Sequence, residues 1–195
     1  RHTMTVGELA RGLNVSLSVI DAGITRLRKA HHLIEQSGVH LSLGQPGFAR
    51  LPLSVLDSGG WVRVGLVADT HLCCKEERLD ALHATYDLFK KEGLTTVLHA
   101  GNMIDGHIPG LNTESVFTAS MDGQTQYVVD KYPQRRGLTT YFITGDDHES
   151  WFMKNGFNWG AYMQMTAEKA GRTDLRYLAH VEADVEFKNP AGHVT

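Results

Sequence analysis

The chain has 195 residues, 42% hydrophobic and 21% charged, with a formal net charge of -3. That balance suits a folded protein with one good core and a small extra module, and it excludes a chain that is disordered by composition or basic throughout. No run of about 18 apolar residues occurs, and the N-terminus has neither the basic start nor the apolar stretch of a signal peptide, so a soluble cytoplasmic protein with no membrane partner is expected.

Thr5 followed three residues on by Glu8 is a capping-box signature, and Val6, Leu9, Ala10 and Leu13 recur at helical spacing, which predicts a short first helix. Gly12-Leu13-Asn14 ends it. Ser16 caps a second helix over 16–31, striped by Ile20, Ile24, Leu27 and Ala30. The run 33–43 alternates around Ser37-Gly38 as a small hairpin would. Two helices across a tight turn, then a hairpin, resemble a winged helix-turn-helix module over residues 1–45. The resemblance implies a nucleic-acid partner met by Arg26, Arg28 and Lys29 of the second helix, with protein docking or oligomerisation as the open alternative. Six basic against four acidic side chains put residues 1–60 at about +2 and the remainder at about -5, a mild asymmetry in the same sense.

Residues 46–60 contain Pro46, Gly47, Pro52, Ser58, Gly59 and Gly60 without periodicity and read as a linker. From Trp61 a second domain is expected over 61–195. Its predicted elements are a buried strand over 62–68, a helix over 78–92 ended by Gly93, a strand over 95–99, a helix over 120–132 and a strand over 139–143. A helix over 159–170 and strands over 175–179 and 181–187 follow. Strands alternating with helices imply an α/β fold with a largely parallel sheet. The adjacent Cys73 and Cys74 lack a C-x-x-C spacing and read as small apolar side chains of a reducing compartment, with metal contact left open.

Three strands end in polar clusters: Asp69-Thr70-His71, then Gly101-Asn102-Met103-Ile104-Asp105, then Gly145-Asp146-Asp147-His148-Glu149. In open α/β sheets ligands bind beyond the carboxyl ends of the strands, so the clusters should converge. Carboxylates, imidazoles and an amide oxygen in one crevice suit divalent ions such as Mn, Fe or Zn.

At these residues, about 61 to 150, the sequence resembles the calcineurin-like metallophosphoesterases, whose strand-end motifs run D-x-H, G-D and G-N-H-D/E. The resemblance implies an αββα sandwich, here incomplete at its C-terminus, and two divalent metal ions. It places Asp69 and His71 on the first metal, Asn102 at the bridging position, Asp147 on the second metal and His148 at the catalytic histidine. Glu149 then orients that histidine, and Asp105 and Asp146 lie behind the ligands, Asp105 either as a ligand or as a residue closing its loop. Two departures are visible: Asn102 stands where the family has Asp, and Asp147 where it has Asn. Moving the carboxylate between positions keeps the negative charge that two cations require.

The family's later histidines and closing G-H-x-H have no counterpart. His180 and His193 read as structural or exposed, and the start at Arg1 and the turn-like end before Thr195 lead to the expectation of a fragment whose missing ligands leave it poor in metal and slow or inactive. The resulting expectation is metal-dependent hydrolysis of phosphoesters, with a phosphodiesterase or nuclease-like activity and a phage or bacterial setting. The alternative is a non-catalytic DNA-binding or scaffolding protein with a degenerate site.

Overall fold

The Glu8 backbone amide donates to Thr5 Oγ1 at 3.1 Å and the Thr5 amide donates to Glu8 Oε2 at 2.7 Å, so the capping box closes as the sequence predicts. The coordinates are a computed structural model that describes residues 3–29, 34–37, 40–43, 49–51, 61–108, 110, 112–154 and 156–187. They divide into two compact units, Arg1–Phe48 and Ala49–Thr195.

In the first unit the box follows β1 (Thr3–Thr5) and starts α1 (Val6–Leu13), which ends on Asn14 in the left-handed region at φ 54°, where a short polar side chain is tolerated. α2 (Leu17–Lys29) follows, then β2 (Ile34–Ser37) and β3 (His40–Leu43). The last two pair antiparallel, as the expected hairpin does, and β1 adds to β3 to give the order β1-β3-β2. β1 was not expected, because three residues running into a helix cap carry no alternation. Ala10, Ile20 and Leu41 are the buried apolar side chains among the described residues of this unit. Arg26 is exposed on α2, and the side chains of Arg28 and Lys29 lie outside the described residues.

The second unit begins inside the stretch expected to be a linker. β4 (Ala49–Leu51) pairs in parallel with β9 (Val185–Phe187), so part of 46–60 is strand, and the rest of that stretch lies outside the described residues. β9 is also shorter than the expected 181–187 and does not join the central sheet. That sheet is β5 (Gly65–Val67), β6 (Thr96–His99), β7 (Thr139–Thr144) and β8 (Leu175–His180), all parallel and in sequential order. Its connections carry α3 (Leu79–Lys91), α4 (Met121–Lys131), the short α5 (Ser150–Lys154) and α6 (Trp159–Lys169). The result is a mixed α/β unit in which helices pack on a parallel sheet.

Sequential order with right-handed crossovers sends every connecting helix to one face. Accordingly Val97, Phe142 and Leu175 of the strands share one core with Tyr86 of α3, Val128 of α4, and Trp159 and Met163 of α6. Burying a side chain such as Phe142 contributes about 1.5–3 kcal/mol. On the other face Leu66, Leu98, Tyr141 and Ile143 border an open cavity of about 410 Å³. Leu66 is 72% exposed, so β5 is not the strand buried on both faces that its apolar run suggested. Arg172 closes the helical layer: its guanidinium donates to Val129 O at 2.9 Å and Tyr132 O at 2.8 Å, ending α4, and pairs with Asp174 at 2.6 Å. Among the described residues no helix is long and apolar enough to cross a membrane.

Candidate metal centre

Beyond the carboxyl ends of β5 and β6 the chain continues as two loops laced by backbone bonds. Asp69 N–H donates to Gly101 O at 3.1 Å, His71 N–H to Asn102 O at 3.0 Å and Leu72 N–H to Met103 O at 2.9 Å. Asp69, His71 and Asn102 take φ values of 53°, 41° and 51°. Side chains of these types visit the left-handed region more readily than others, yet each such residue still costs on the order of 1 kcal/mol, so strain is concentrated where the polar side chains gather. Gly145, opening the third loop, lies against them: a Cβ there would sit 2.0 Å from Asn102 Oδ1.

The side chains of the three loops converge on one another. His71 Nε2 is 3.8 Å from Asp69 Oδ1, and His71 Nδ1 donates to Asp105 Oδ1 at 3.0 Å. His148 Nδ1 lies 3.4 Å from the same oxygen, and His148 Nε2 is 3.8 Å from Asp147 Oδ2. Asn102 ties in as well, its Nδ2 donating to Asp69 Oδ1 at 3.1 Å. Asp69 and Asp147 are exposed, the two histidines half-buried and Asp105 nearly buried. Burial alone would raise the Asp147 carboxyl, but the His148 amide, the His148 ring and Asn102 together hold it below the usual range.

All five residues expected at the centre, Asp69, His71, Asn102, Asp147 and His148, thus meet at one rim of the sheet. Asp146 is exposed beside them. One expectation needs correction. Glu149 does not orient His148: its fully buried carboxylate accepts from the backbone amides of Met103, at 2.5 Å, and Gly145, at 3.0 Å, and so clamps two loops together. Burial pushes that carboxyl up to about 7 against the pull of these amides. The partner of His148 is Asp105, whose backbone carbonyl accepts from Nδ1 at 2.8 Å. Asp105 closes its loop as well, through Asn112 Nδ2, which donates to both its carbonyl and its Oδ2 at 3.0 Å.

Sequence reasoning missed Asn112, Thr70 and His99 as supports. The Gly101 amide donates to His99 Nδ1 at 3.3 Å, which leaves the proton on Nε2; that N–H donates to Thr70 Oγ1 at 3.1 Å, whose hydroxyl donates to Met103 O at 2.9 Å. His99 therefore pins the loop after β5 to the loop after β6, and burial drives its pKa down to about 4. A histidine ending a strand next to a polar cluster was the one available signal. His180, at the end of β8, accepts from or donates to Thr144 Oγ1 at 2.9 Å, the structural role expected of it.

The donor set fits divalent transition ions: imidazole nitrogens and carboxylate oxygens predominate. His71, Asp105 and His148 alone offer three ligand atoms within 4.8 Å of one another. A cavity of about 490 Å³ opens beside Asp69, His71 and Asp105, walled by Cys74, Ala81 and Leu82. Cys73 is buried, and burial raises its thiol well above the ordinary range; Cys74 is half-buried against that cavity. No family model matches this chain, and no curated protein matches it.

Proposed function

We propose that this chain is a metal-dependent phosphoester hydrolase of calcineurin-like type, acting on a phosphodiester, with its αββα-type domain preceded by a winged helix-turn-helix-like module. The observation that carries the reading is the convergence of Asp69, His71, Asn102, Asp147 and His148, from three separate strand ends, into one cluster of metal-binding groups. Asp69, His71, Asn102 and Asp147 would hold two divalent ions. Such ions supply an activated water and neutralise charge on the phosphoryl oxygens. His148, with Nδ1 committed to a backbone carbonyl, turns Nε2 toward the cluster and is placed to hold a proton for the departing oxygen. The adjoining cavity would receive an organic group of the ester. The two-helix turn and hairpin of the first unit, with Arg26 exposed, support nucleic acid as the source of that ester.

Bis-p-nitrophenyl phosphate and p-nitrophenyl phosphate, each with Mn2+, test this. The diester should be hydrolysed faster, His148→Ala should lower turnover at least 100-fold with metal content retained, and Asp69→Ala should lose metal on dialysis as read by elemental analysis. Turnover of neither ester by the full-length, Mn2+-supplied protein would remove the enzyme reading in favour of a DNA-binding or scaffolding protein with a degenerate site.

A further inference from the structure

We propose that Asn102 is a metal-responsive switch: without metal its amide turns NH2 toward Asp69, and a bound ion turns the same amide by half a circle to present Oδ1. The metal-bound state rests on the centre proposed above, whereas the resting orientation does not.

Asp69 Oδ1 can only accept, so the atom of Asn102 that faces it at 3.1 Å is the nitrogen. That choice sends the amide oxygen the other way. Asn102 Oδ1 is sealed from solvent, and no donor among the described residues reaches it. A buried carbonyl oxygen without a donor is rare enough to call for a cause. Its surroundings add to the cost. A Cβ on Gly145 would lie 2.0 Å from Asn102 Oδ1 and 3.0 Å from Glu149 Oε2, so the two oxygens border one small space. Glu149 is fully buried and already accepts from the amides of Met103 and Gly145, yet a carboxylate oxygen keeps room for a further donor.

The stranded oxygen is therefore the consequence of tying down Asp69 without a cation. A carboxylate with no counter-charge needs a donor, whereas a cation beside it needs an acceptor. A divalent ion at Asp69 thus reverses what the outward end of residue 102 must offer. A primary amide meets both needs by a half-turn, which neither an ionised Asp nor an apolar side chain does. The backbone need not move, since the His71 amide holds Asn102 O at 3.0 Å and φ stands at 51°. The turn is confined to the terminal side-chain bond, whose torsion is broad and two-fold. After it, NH2 faces Glu149 Oε2, and the oxygen that had no donor faces the ion. The two states differ in contacts at both ends of the amide, as a ligand-driven change requires.

The test is nuclear Overhauser spectroscopy of the isotope-labelled full chain, with diamagnetic Zn2+ as the metal. Without metal, the Asn102 Nδ2 protons should give no cross-peak to Gly145 Hα, which lies at the oxygen end of the amide. Saturation with Zn2+, its uptake read by elemental analysis after dialysis, should make that cross-peak appear. Asp69→Ala removes the acceptor that holds NH2 outward, so this variant should show the cross-peak without metal. A cross-peak in metal-free wild type, or its absence from Zn2+-bound wild type or from Asp69→Ala, overturns the switch. A chain that takes up no Zn2+ overturns it together with the metal centre. Hydrolysis of the diester with Asn102 unturned keeps the hydrolase reading and removes the switch; a turned Asn102 in a chain that hydrolyses no ester does the reverse.

Discussion

Asn102 Nδ2 donates to Asp69 Oδ1 across 3.1 Å, and through this bond the loop after β5 is tied to the loop after β6 within the cluster. An amide can donate to a neighbouring carboxylate without a cation, whereas another carboxylate cannot. Asn102→Asp should therefore lower Tm by several degrees in EDTA, corresponding to about 1–2 kcal/mol of like-charge repulsion and lost hydrogen bonding. In millimolar Mn2+ the order reverses, because a carboxylate bridges cations better than an amide. Scanning calorimetry in both buffers decides it. Equal Mn2+-induced gains in Tm for variant and wild type would show that Asn102 takes no part in holding metal.

Gly145 is required by crowding and not by its own backbone angle. A Cβ would lie 2.0 Å from Asn102 Oδ1 and 3.0 Å from Glu149 Oε2, and Glu149 cannot retreat because it is fully buried on backbone amides. Gly145→Ala should displace Asn102 and cost about 1–3 kcal/mol of stability, with Mn2+ affinity falling in parallel. Gly171→Ala is the comparison, since at that φ of 80° the backbone is strained but nothing lies within 4 Å. A larger loss of Mn2+ affinity at Gly171 than at Gly145 would contradict the account.

Much of this arrangement was legible in the chain because strand-end polar clusters report on topology. Once Val97-Leu98-His99 and Tyr141-Phe142-Ile143 read as strands separated by helical stretches, parallel pairing followed, and with it the meeting of residues more than 70 positions apart. The capping box at Thr5 and Glu8 was legible for a similar reason: its partners are local. What escaped were pairings between distant segments with no pattern of their own. β4 is three residues long within a Pro- and Gly-rich stretch, and only its ladder with β9 makes it a strand. Glu149 was misassigned because the resemblance implied a partner for His148, while the actual donors to its carboxylate are backbone amides that no side-chain pattern announces. Leu66 sits in an apolar run that reads as buried on both faces, and the sequential strand order that leaves one face without helices is not a local property.

His99 gives a pH signature. Burial lowers its folded pKa to about 4, from an unfolded value of about 6.5, so the unfolded chain binds the extra proton first. Stability from this residue is complete above pH 6.5 and falls as pH drops toward 4, by about 3 kcal/mol over the window. Urea unfolding of wild type and His99→Gln at pH 7, 5.5 and 4.5 isolates it. The variant should start less stable, having lost the bond to Thr70, and should then lose less on acidification. Parallel pH curves would mean that the pKa of His99 is not lowered by folding.

Arg26 offers the sharpest probe of the first unit. It stands exposed on α2, the helix that a helix-turn-helix would lay in a groove. A phosphate contact there releases counterions, so the logarithm of the association constant of the full chain for duplex DNA should fall linearly with the logarithm of salt concentration. Arg26→Ala should reduce that slope by about one and weaken binding to all sequences alike, as loss of a phosphate contact does. Weakening confined to one DNA sequence would instead place Arg26 on a base edge. Binding that is absent at low salt would assign the unit to protein contact, where the exposed Leu13, Leu17 and Val19 at the start of α2 and its turn supply apolar surface.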